Sequence, residues 1–220
     1  MSNLYAVGDI HGQIHMLEAL VERVPFQEED EIVFLGDYID RGRDSKAVVD
    51  LLIRFKREYP KAVFLRGNHE DMLLDYLSGG GSYHPGVYLM NGGGATLENY
   101  RDEGGDVLVP PEHLKFFNAL EWIHTSRGFI FVHAGLRPGV PIDRQDPMDL
   151  VWIREEFFHA GYDFGKPVIF GHTPGLEIKN ELPLYLGIDT RAVAGGFLTC
   201  VKLGDGGIVD CHQVSSREVE

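Results

Sequence analysis

Long apolar runs are missing from the 220-residue sequence, and we expect no secretory leader. No stretch approaches the roughly 20 consecutive apolar residues that a membrane-spanning helix needs. The N-terminus has no basic segment followed by an apolar stretch and a small-residue cleavage site, and a strand pattern already begins at Leu4. We therefore expect a cytoplasmic protein that neither binds nor crosses a membrane.

Basic side chains are also few. The chain has 20 Lys and Arg against 34 Asp and Glu, which gives a formal net charge of −14. Binding to nucleic acids or to anionic lipids depends on patches of Lys and Arg, so we expect neither partner. A metal site would explain part of the acidic surplus, because bound cations neutralise the carboxylates that hold them.

Cysteine is nearly absent, since Cys200 and Cys211 are the two in the chain. Apolar runs on both sides of the turn 204–207 predict a β-hairpin. If Leu203 pairs with Ile208, the two cysteines lie directly opposite each other. Opposed Cβ atoms in a sheet are about 4.5–5.5 Å apart, which exceeds the mean of about 3.8 Å in a disulfide. Without a secretory signal we expect free thiols.

The rest of the composition is that of a globular protein. Apolar residues make up 44% of the chain, which is enough to bury a core. A length of 220 residues suits one domain, and we find no repeat or linker that divides the sequence. We therefore expect a single domain over residues 1–220.

Short apolar strands alternate with helical patterns from the beginning of the chain. Apolar residues recur at helical spacing from Ile14 to Val24 and from Val48 to Tyr59. This β-α-β-α-β order predicts an α/β architecture with partly parallel strands. The predicted strands are 4–8, 31–35, 62–65, 129–132 and 168–170, with more from 184 onward, and further helices are predicted at 70–77, 95–103 and 111–121.

Residues 79–94 interrupt this alternation, because seven of these sixteen residues are glycine. The composition predicts a mobile loop. Long loops in compact domains often border binding sites, but a solvated connector would have the same composition. The sequence does not decide between the two interpretations.

Polar clusters follow the strand patterns, at residues 8–12, 36–42, 67–70, 133–135 and 171–173. Because the carboxyl ends of parallel strands open into one crevice, we expect the clusters to converge there. Oxygen and imidazole donors without cysteine suit Mn, Fe or Zn better than they suit a structural thiolate zinc site. The candidate metal ligands are Asp9, His11, Asp37, Asn68, His133 and His172.

These clusters form the motifs GDxHG, GDxxDRG, GNHE, HAG and GHT, in this order. The sequence resembles the phosphoprotein phosphatase branch of the calcineurin-like metallophosphoesterases, which carries the same motifs in the same order. Segments 91–94, 150–155 and 188–190 also resemble the short bacterial and bacteriophage lambda-type enzymes. The resemblance implies a four-layer α/β/β/α sandwich, in which helices flank two central mixed β-sheets.

The resemblance also implies two divalent metal ions, Mn²⁺ in the first place with Fe or Zn as alternatives. A carboxylate that bridges two cations about 3.5–4 Å apart helps them to lower the pKa of a shared water, and the resulting hydroxide attacks phosphorus in line. The implied ligands are Asp9 and His11 on the first ion, Asn68, His133 and His172 on the second, and Asp37 on both.

Four further residues receive roles from the resemblance. Arg41 and Arg154 would hold the phosphate oxygens together with Asn68, because a guanidinium presents a planar pair of donors. His69 would donate a proton to the departing oxygen, which histidine can do near neutral pH. Asp40 would orient and charge that histidine.

The expected activity is hydrolysis of phosphoserine and phosphothreonine, and also of phosphotyrosine, in proteins or small phosphoesters, by a monomer or simple homo-oligomer. The alternative is a symmetrical dinucleoside (diadenosine) tetraphosphate hydrolase, which resembles this chain in its metal motifs. That branch carries alanine in place of Asp40 and Asp in place of Glu70, so the intact residues favour the phosphatase. A catalytically silent scaffold would have lost a ligand, the acid or an arginine, and this chain has lost none.

Other candidate residues are weaker. Asp189 would either support a metal-bound histidine or form a turn, and Arg137 would either contact substrate or lie in a solvated loop. Arg191 stands where the lambda-type enzymes carry glycine. The histidines expected to lie outside the site are His15, His84, His113, His124, His159 and His212.

Overall fold

Ten strands form two five-stranded sheets in the computed structural model, which describes residues 2–219. In the first sheet the order is β10-β9-β1-β2-β3, and in the second it is β4-β5-β6-β8-β7. The strands are β1 (Leu4–Val7), β2 (Glu31–Phe34), β3 (Val63–Phe64), β4 (Ile123–Ser126), β5 (Phe129–Val132), β6 (Val168–Phe170), β7 (Lys179–Glu181), β8 (Tyr185–Gly187), β9 (Phe197–Gly204) and β10 (Gly207–Ser215).

Both sheets combine parallel and antiparallel pairs. Strands β1, β2 and β3 run parallel, while β9 and β10 are antiparallel to their neighbours. In the second sheet, β5, β6 and β8 run parallel between two antiparallel edge strands. The expected mixed sheets are therefore confirmed.

Helices cover the outer faces of the sheets. Pro85 and Pro111 each occupy the first position of a helix, where the missing N–H is not needed. The helices are α1 (Ile14–Arg23), α2 (Ser45–Glu58), α3 (Asn68–Leu77), α4 (Pro85–Tyr88), α5 (Gly94–Asn99), α6 (Pro111–Asn118), α7 (Pro147–Trp152), α8 (Glu155–Phe158) and α9 (Ser216–Val219), with a π-turn at Leu89–Gly93 and 3₁₀ turns at Ile142–Arg144 and Ala192–Ala194.

Alternating side chains of the strands divide the core into layers, because successive residues of a strand point to opposite faces. In β1, Leu4 and Ala6 face the second sheet, while Tyr5 and Val7 pack under the helices. In β5, Phe129 and Phe131 face the first sheet, and Ile130 and Val132 pack against residues of α7 and α8. The result is the four-layer α/β/β/α sandwich that the resemblance implied.

Residues 79–94 differ from the predicted mobile loop. The chain is helical from Pro85 to residue 91, and a kink at Gly92 separates this helical segment from α5. The His84 side chain accepts the N–H of Gly86, so it caps α4 where Pro85 begins the helix. Gly92 bends the chain with a φ of 99°, a conformation that suits glycine. The prediction of a mobile loop was wrong here, because the high glycine content of the segment gave no sign of the short, capped helix α4.

The predicted C-terminal hairpin is present, but its strand pairing departs from the predicted register after Ile208. Leu203 pairs with Ile208 as expected, and a bulge between Ile208 and Asp210 then shifts the pairing by one residue. Cys200 therefore lies opposite His212 and not opposite Cys211. Both thiols are free, the first buried and the second exposed.

No helix of the described residues is both long enough and apolar enough to cross a membrane. The longest of them, α2, has 14 residues.

Leu186 tests the packing of the two sheets, because this residue of β8 is fully buried in the core between them. We expect Leu186→Ala to lower the free energy of unfolding by about 2–5 kcal/mol through lost contacts and a cavity, measured by urea denaturation. Leu176, which is 79% exposed, supplies the control Leu176→Ala. The control should change stability by less than about 0.5 kcal/mol. Equal losses in the two variants would contradict face-to-face packing of the sheets.

Candidate active site

The carboxyl ends of the parallel strands of both sheets meet at one edge of the sandwich. The loops after β1, β2, β3, β5 and β6 bring all the candidate metal ligands to this place, as expected from the parallel strand order. All six are buried, with at most 5% of the residue exposed: Asp9, His11, Asp37, Asn68, His133 and His172.

The carboxylate of Asp37 stands at the centre. Its Oδ2 lies 3.4 Å from Nε2 of His11, and its Oδ1 lies 3.3 Å from Nε2 of His133. Two groups of side chains could each hold a metal ion, one of His11, Asp37 and His69 and the other of Asp37, His133 and His172. Because Asp37 belongs to both groups, its position fits a carboxylate that bridges two ions.

Asn68 and Asp9 complete the surroundings of the second group. The Asn68 side-chain oxygen lies 3.0 Å from Nε2 of His133 and 3.0 Å from Nδ1 of His172. The Asp9 carboxylate accepts the backbone N–H of His172 at 3.0 Å. Asp9 thus lies beside the site without joining the compact group around His11, and its assignment to the first ion stays a prediction.

Backbone carbonyls orient two of the histidines. Nδ1 of His11 lies 2.9 Å from the carbonyl of Ile39, and Nδ1 of His133 lies 2.8 Å from the carbonyl of Leu35. With Nδ1–H donating, each ring turns the lone pair of Nε2 towards Asp37, which is the usual arrangement of a metal-ligating histidine. Burial lowers the pKa of His11 to about 3 and also lowers the pKa of His133, so both rings are neutral, as ligands must be.

The electrostatics of the site favour bound cations. Burial opposes ionisation of Asp37, but the surrounding histidines, with His133 first, lower the pKa of its carboxyl. Burial raises the pKa of Asp9, and the Asp189 and Asp37 carboxylates raise it further. Buried carboxylates that repel one another, together with neutral imidazoles, form a donor set that divalent cations would stabilise. The residues present therefore fit the metal ions that the resemblance implied.

His69, which belongs to the group with His11 and Asp37, also forms a buried pair with Asp40. Nδ1 of His69 lies 2.6 Å from Oδ2 of Asp40, and Nε2 of His69 has no hydrogen-bond partner among residues 2–219. Burial lowers the pKa of His69, but the carboxylates of Asp37 and Asp40 outweigh burial and raise it above its usual value. The ring can therefore carry a proton on a nitrogen that is free to donate it.

Two exposed arginines border the two groups of ligands. Nη1 of Arg41 lies 2.9 Å from Nε2 of His11, and the Nε–H of Arg154 donates to Nε2 of His172 at 3.1 Å. The two guanidinium groups thus stand on different sides of Asp37, where an anion bound at the site would meet both.

The backbone of the site is strained. Seven non-glycine residues of the described chain have a positive φ, a conformation that costs about 1–3 kcal/mol per residue and clusters at functional sites. Five of the seven are candidate site residues, namely His11, Asp37, Asp40, Arg41 and His172. The conformation at these positions is therefore better explained by function than by stability.

Two motif glycines allow the backbone to approach the ligands closely. A Cβ atom at Gly67 would overlap Oδ1 of Asp37, and one at Gly171 would overlap Oδ1 of Asp9. Any side chain at either position would displace a carboxylate from the site.

The sequence analysis gave no structural role to Glu70, which is buried beneath Asp37. Its Oε2 accepts the backbone N–H groups of Asp37 and Gly67 at 3.0 Å each, and its Oε1 accepts those of Tyr38 at 2.8 Å and Ile39 at 3.3 Å. One carboxylate thus secures the loop that presents Asp37. The available signal was a Glu three residues after the glycine that precedes α3, a capping-box position.

The weaker candidates have structural partners. Asp189 accepts the backbone N–H of Arg191 in a turn, and Arg191 takes the left-handed conformation, with a φ of 65°, where the lambda-type enzymes carry glycine. Arg137 pairs with Asp149 in the loop after β5. Within the described part of the chain, neither group of ligands includes a histidine that was expected outside the site. These histidines are His15, His84, His113, His124, His159 and His212.

Known proteins are similar to this chain in sequence and in fold. The family model of the calcineurin-like phosphoesterases matches residues 2–188. The serine/threonine-protein phosphatase 1 of Salmonella typhimurium is 30% identical over 210 residues, which cover 91% of this chain and 92% of that protein. A crystal structure provisionally assigned as a diadenosine tetraphosphatase is similar with a TM-score of 0.75 and 26% identity, over 97% of this chain and 93% of that one.

A more distant structure, a serine/threonine phosphatase of Saccharomyces cerevisiae, shares the fold. Its TM-score is 0.61 at 14% identity, over 97% of this chain and 79% of that chain. The match to the family model, the 30% identical relative and the four-layer sandwich together show that this chain belongs to the calcineurin-like phosphoesterases.

Proposed function

We propose that this protein is a dinuclear-metal phosphomonoesterase whose substrates are phosphoserine and phosphothreonine, and also phosphotyrosine, in proteins. One observation carries the proposal. A single carboxylate, that of Asp37, belongs to two adjacent groups of metal donors, and His69 of the first group is paired with the buried carboxylate of Asp40. This combination suits a reaction that needs both a metal centre and a proton donor.

Two divalent ions held by these groups would supply Lewis acidity towards a phosphoryl oxygen and towards water at neutral pH. The donors are carboxylate, amide and imidazole, which suit Mn²⁺, with Fe or Zn as alternatives. Asp37 would hold both ions, and Asn68, His133 and His172 would hold the ion on the side of the second sheet. We retain Asp9 and His11 as the ligands of the other ion.

The remaining residues would handle the substrate. Arg41 and Arg154 approach the centre from different sides, so together they can hold the oxygens of one phosphate group. The free Nε2 of His69 can give its proton to the oxygen that leaves phosphorus. Asp40 stabilises the charged ring through Nδ1, which keeps the donor protonated until the bond to phosphorus breaks.

A second candidate, hydrolysis of diadenosine tetraphosphate, is favoured by one observation. The structural relative with a TM-score of 0.75 is provisionally assigned that activity. The phosphatase ranks first because Asp40 and Glu70 are both present and both make hydrogen bonds at the site. It also ranks first because the 30% identical relative is a serine/threonine-protein phosphatase. The expectations of a cytoplasmic location, of one domain, and of a monomer or simple homo-oligomer stay predictions.

Asp37→Asn tests the shared carboxylate. The substitution removes the negative charge common to both groups, so we expect the metal content of Mn-loaded protein to fall from about two ions per chain to less than one. Elemental analysis after gel filtration measures this. Asp30→Asn is the control, because Asp30 is equally buried but lies outside the site. Two ions retained by Asp37→Asn would contradict the shared site.

His69→Asn tests the proton donor. The variant should keep its metal content but hydrolyse a phosphoserine peptide about 10²–10⁴-fold more slowly, because the alkoxide then leaves without general acid catalysis. Steady-state kinetics on metal-stripped, Mn-reconstituted enzyme measure the change. An unchanged turnover would remove His69 from the reaction.

A comparison of two substrates, each offered to the enzyme in parallel, separates the two candidate functions. A phosphothreonine peptide and diadenosine tetraphosphate are offered in parallel to the Mn-loaded enzyme, and products are separated by chromatography. We expect the peptide to have a kcat/KM at least about tenfold higher, because two matched arginines and a charged donor suit a monoester. Faster cleavage of the dinucleotide would reverse the ranking.

A further inference from the structure

The glycine-rich segment 79–94 reaches the site through one side chain that the motifs do not include. Tyr88, the last residue of α4, is 1% exposed and is one of the largest fully buried side chains of the described chain. Its hydroxyl donates to Oδ1 of Asp40 at 3.0 Å. The other oxygen of the same carboxylate, Oδ2, lies 2.6 Å from Nδ1 of His69. Asp40 thus uses one oxygen for Tyr88 and the other for His69.

Within residues 2–219, Tyr88 and His69 are the hydrogen-bond partners of this carboxylate. The backbone N–H of Asp40 donates to the hydroxyls of Ser45 and Thr96, at 3.0 and 2.9 Å, which fixes the main chain and not the side chain. The residue has a φ of 70°, a conformation that is strained for a non-glycine residue. The phenol hydroxyl is therefore the contact that sets the rotation of the carboxylate towards His69.

The position of Tyr88 is itself fixed. A Cβ atom at Gly93 would lie 2.5 Å from Cζ of the Tyr88 ring, so the ring packs directly on a backbone without a side chain. The carbonyl of the neighbouring Gly92 accepts the backbone N–H of Arg41 at 3.3 Å. Burial, together with Asp40, raises the pKa of Tyr88, so its phenol stays protonated and acts as a donor.

We propose that Tyr88 is a positioning residue for the proton donor, because its hydroxyl holds the Asp40 carboxylate in the orientation that supports His69. This inference rests on the proposed function, in which His69 protonates the leaving oxygen. It assigns the glycine-rich segment a role, since the kink at Gly92 and the absence of a side chain at Gly93 allow α4 to bring a tyrosine under the site. Tyr88 acts through Asp40 and does not contact substrate.

The leaving group of the substrate separates a positioning role from a structural one. Phenyl phosphate has a poor leaving group that needs a proton, whereas 2,4-dinitrophenyl phosphate has a leaving group that departs without one. We expect Tyr88→Phe to lower kcat on phenyl phosphate about tenfold or more, the usual effect of losing a hydrogen bond to a charged group. The kcat on dinitrophenyl phosphate and both KM values should stay within about twofold.

Tyr100→Phe is the matched control. Tyr100 is equally buried, at 3% exposed, and its hydroxyl bonds to His113 away from the site. This variant loses the same atom from a similar environment, so it should leave both rates within about twofold of wild type. A general effect of removing a buried hydroxyl would lower the two rates of Tyr88→Phe equally, and that outcome would overturn the proposal.

A double-mutant cycle separates this inference from the function on which it rests. His69→Asn alone should show the leaving-group dependence, and Tyr88→Phe should then add nothing in the His69→Asn background. If His69→Asn shows the dependence and Tyr88→Phe does not, the role of Tyr88 is wrong and that of His69 stands. If His69→Asn shows no dependence, the proton donor itself is wrong.

Gly93→Ala provides a second variant that keeps the hydroxyl. The added methyl group displaces the Tyr88 ring, so the variant should show the same selective loss on phenyl phosphate. Equal losses on the two substrates in the Gly93→Ala enzyme would again count against positioning.

Discussion

The carboxylate of Asp37 links the two halves of the structure. It lies 3.4 Å from a histidine of the first sheet, His11, and 3.3 Å from a histidine of the second, His133. This contact exists only because the sheets pack face to face with the carboxyl ends of their parallel strands at one edge. The packing of the sandwich and the geometry of the candidate metal centre are therefore one constraint, since a shift of one sheet against the other would separate Asp37 from half of its partners.

The strained loops around this carboxylate must be stabilised from outside the ligand set. Asp37, Asp40 and Arg41 all have positive φ, each at a cost of about 1–3 kcal/mol. Glu70 offsets this cost through four backbone N–H bonds, one of which comes from Asp37 itself. The buried acid below the site is thus as necessary to its shape as the ligands above it.

Sequence patterns predicted the parts of this structure that have a local cause. Strands β5 and β6 begin and end at their predicted residues because both are continuous apolar runs, and the ligands converge because parallel strands share an edge. Edge strands β4 and β7 were missed, since they are half-exposed or polar, and Lys179–Glu181 carries no apolar residue. The contact of Tyr88 with Asp40 joins residues 48 positions apart, and no local pattern encodes it.

The choice between monoester and dinucleotide depends on the leaving group more than on the metals, because both reactions suit the same centre. A serine or threonine alkoxide is a poor leaving group and needs a proton, whereas a nucleoside diphosphate leaves as a stable anion. The resemblance implies that dinucleotide hydrolases tend to carry alanine in place of Asp40, which agrees with a reaction that needs less help from an acid. This chain keeps Asp40, bonds one of its oxygens to His69 and the other to Tyr88, and buries all three residues. An Asp40 carboxylate held by hydrogen bonds to His69 and Tyr88 fits a substrate whose departing oxygen must be protonated.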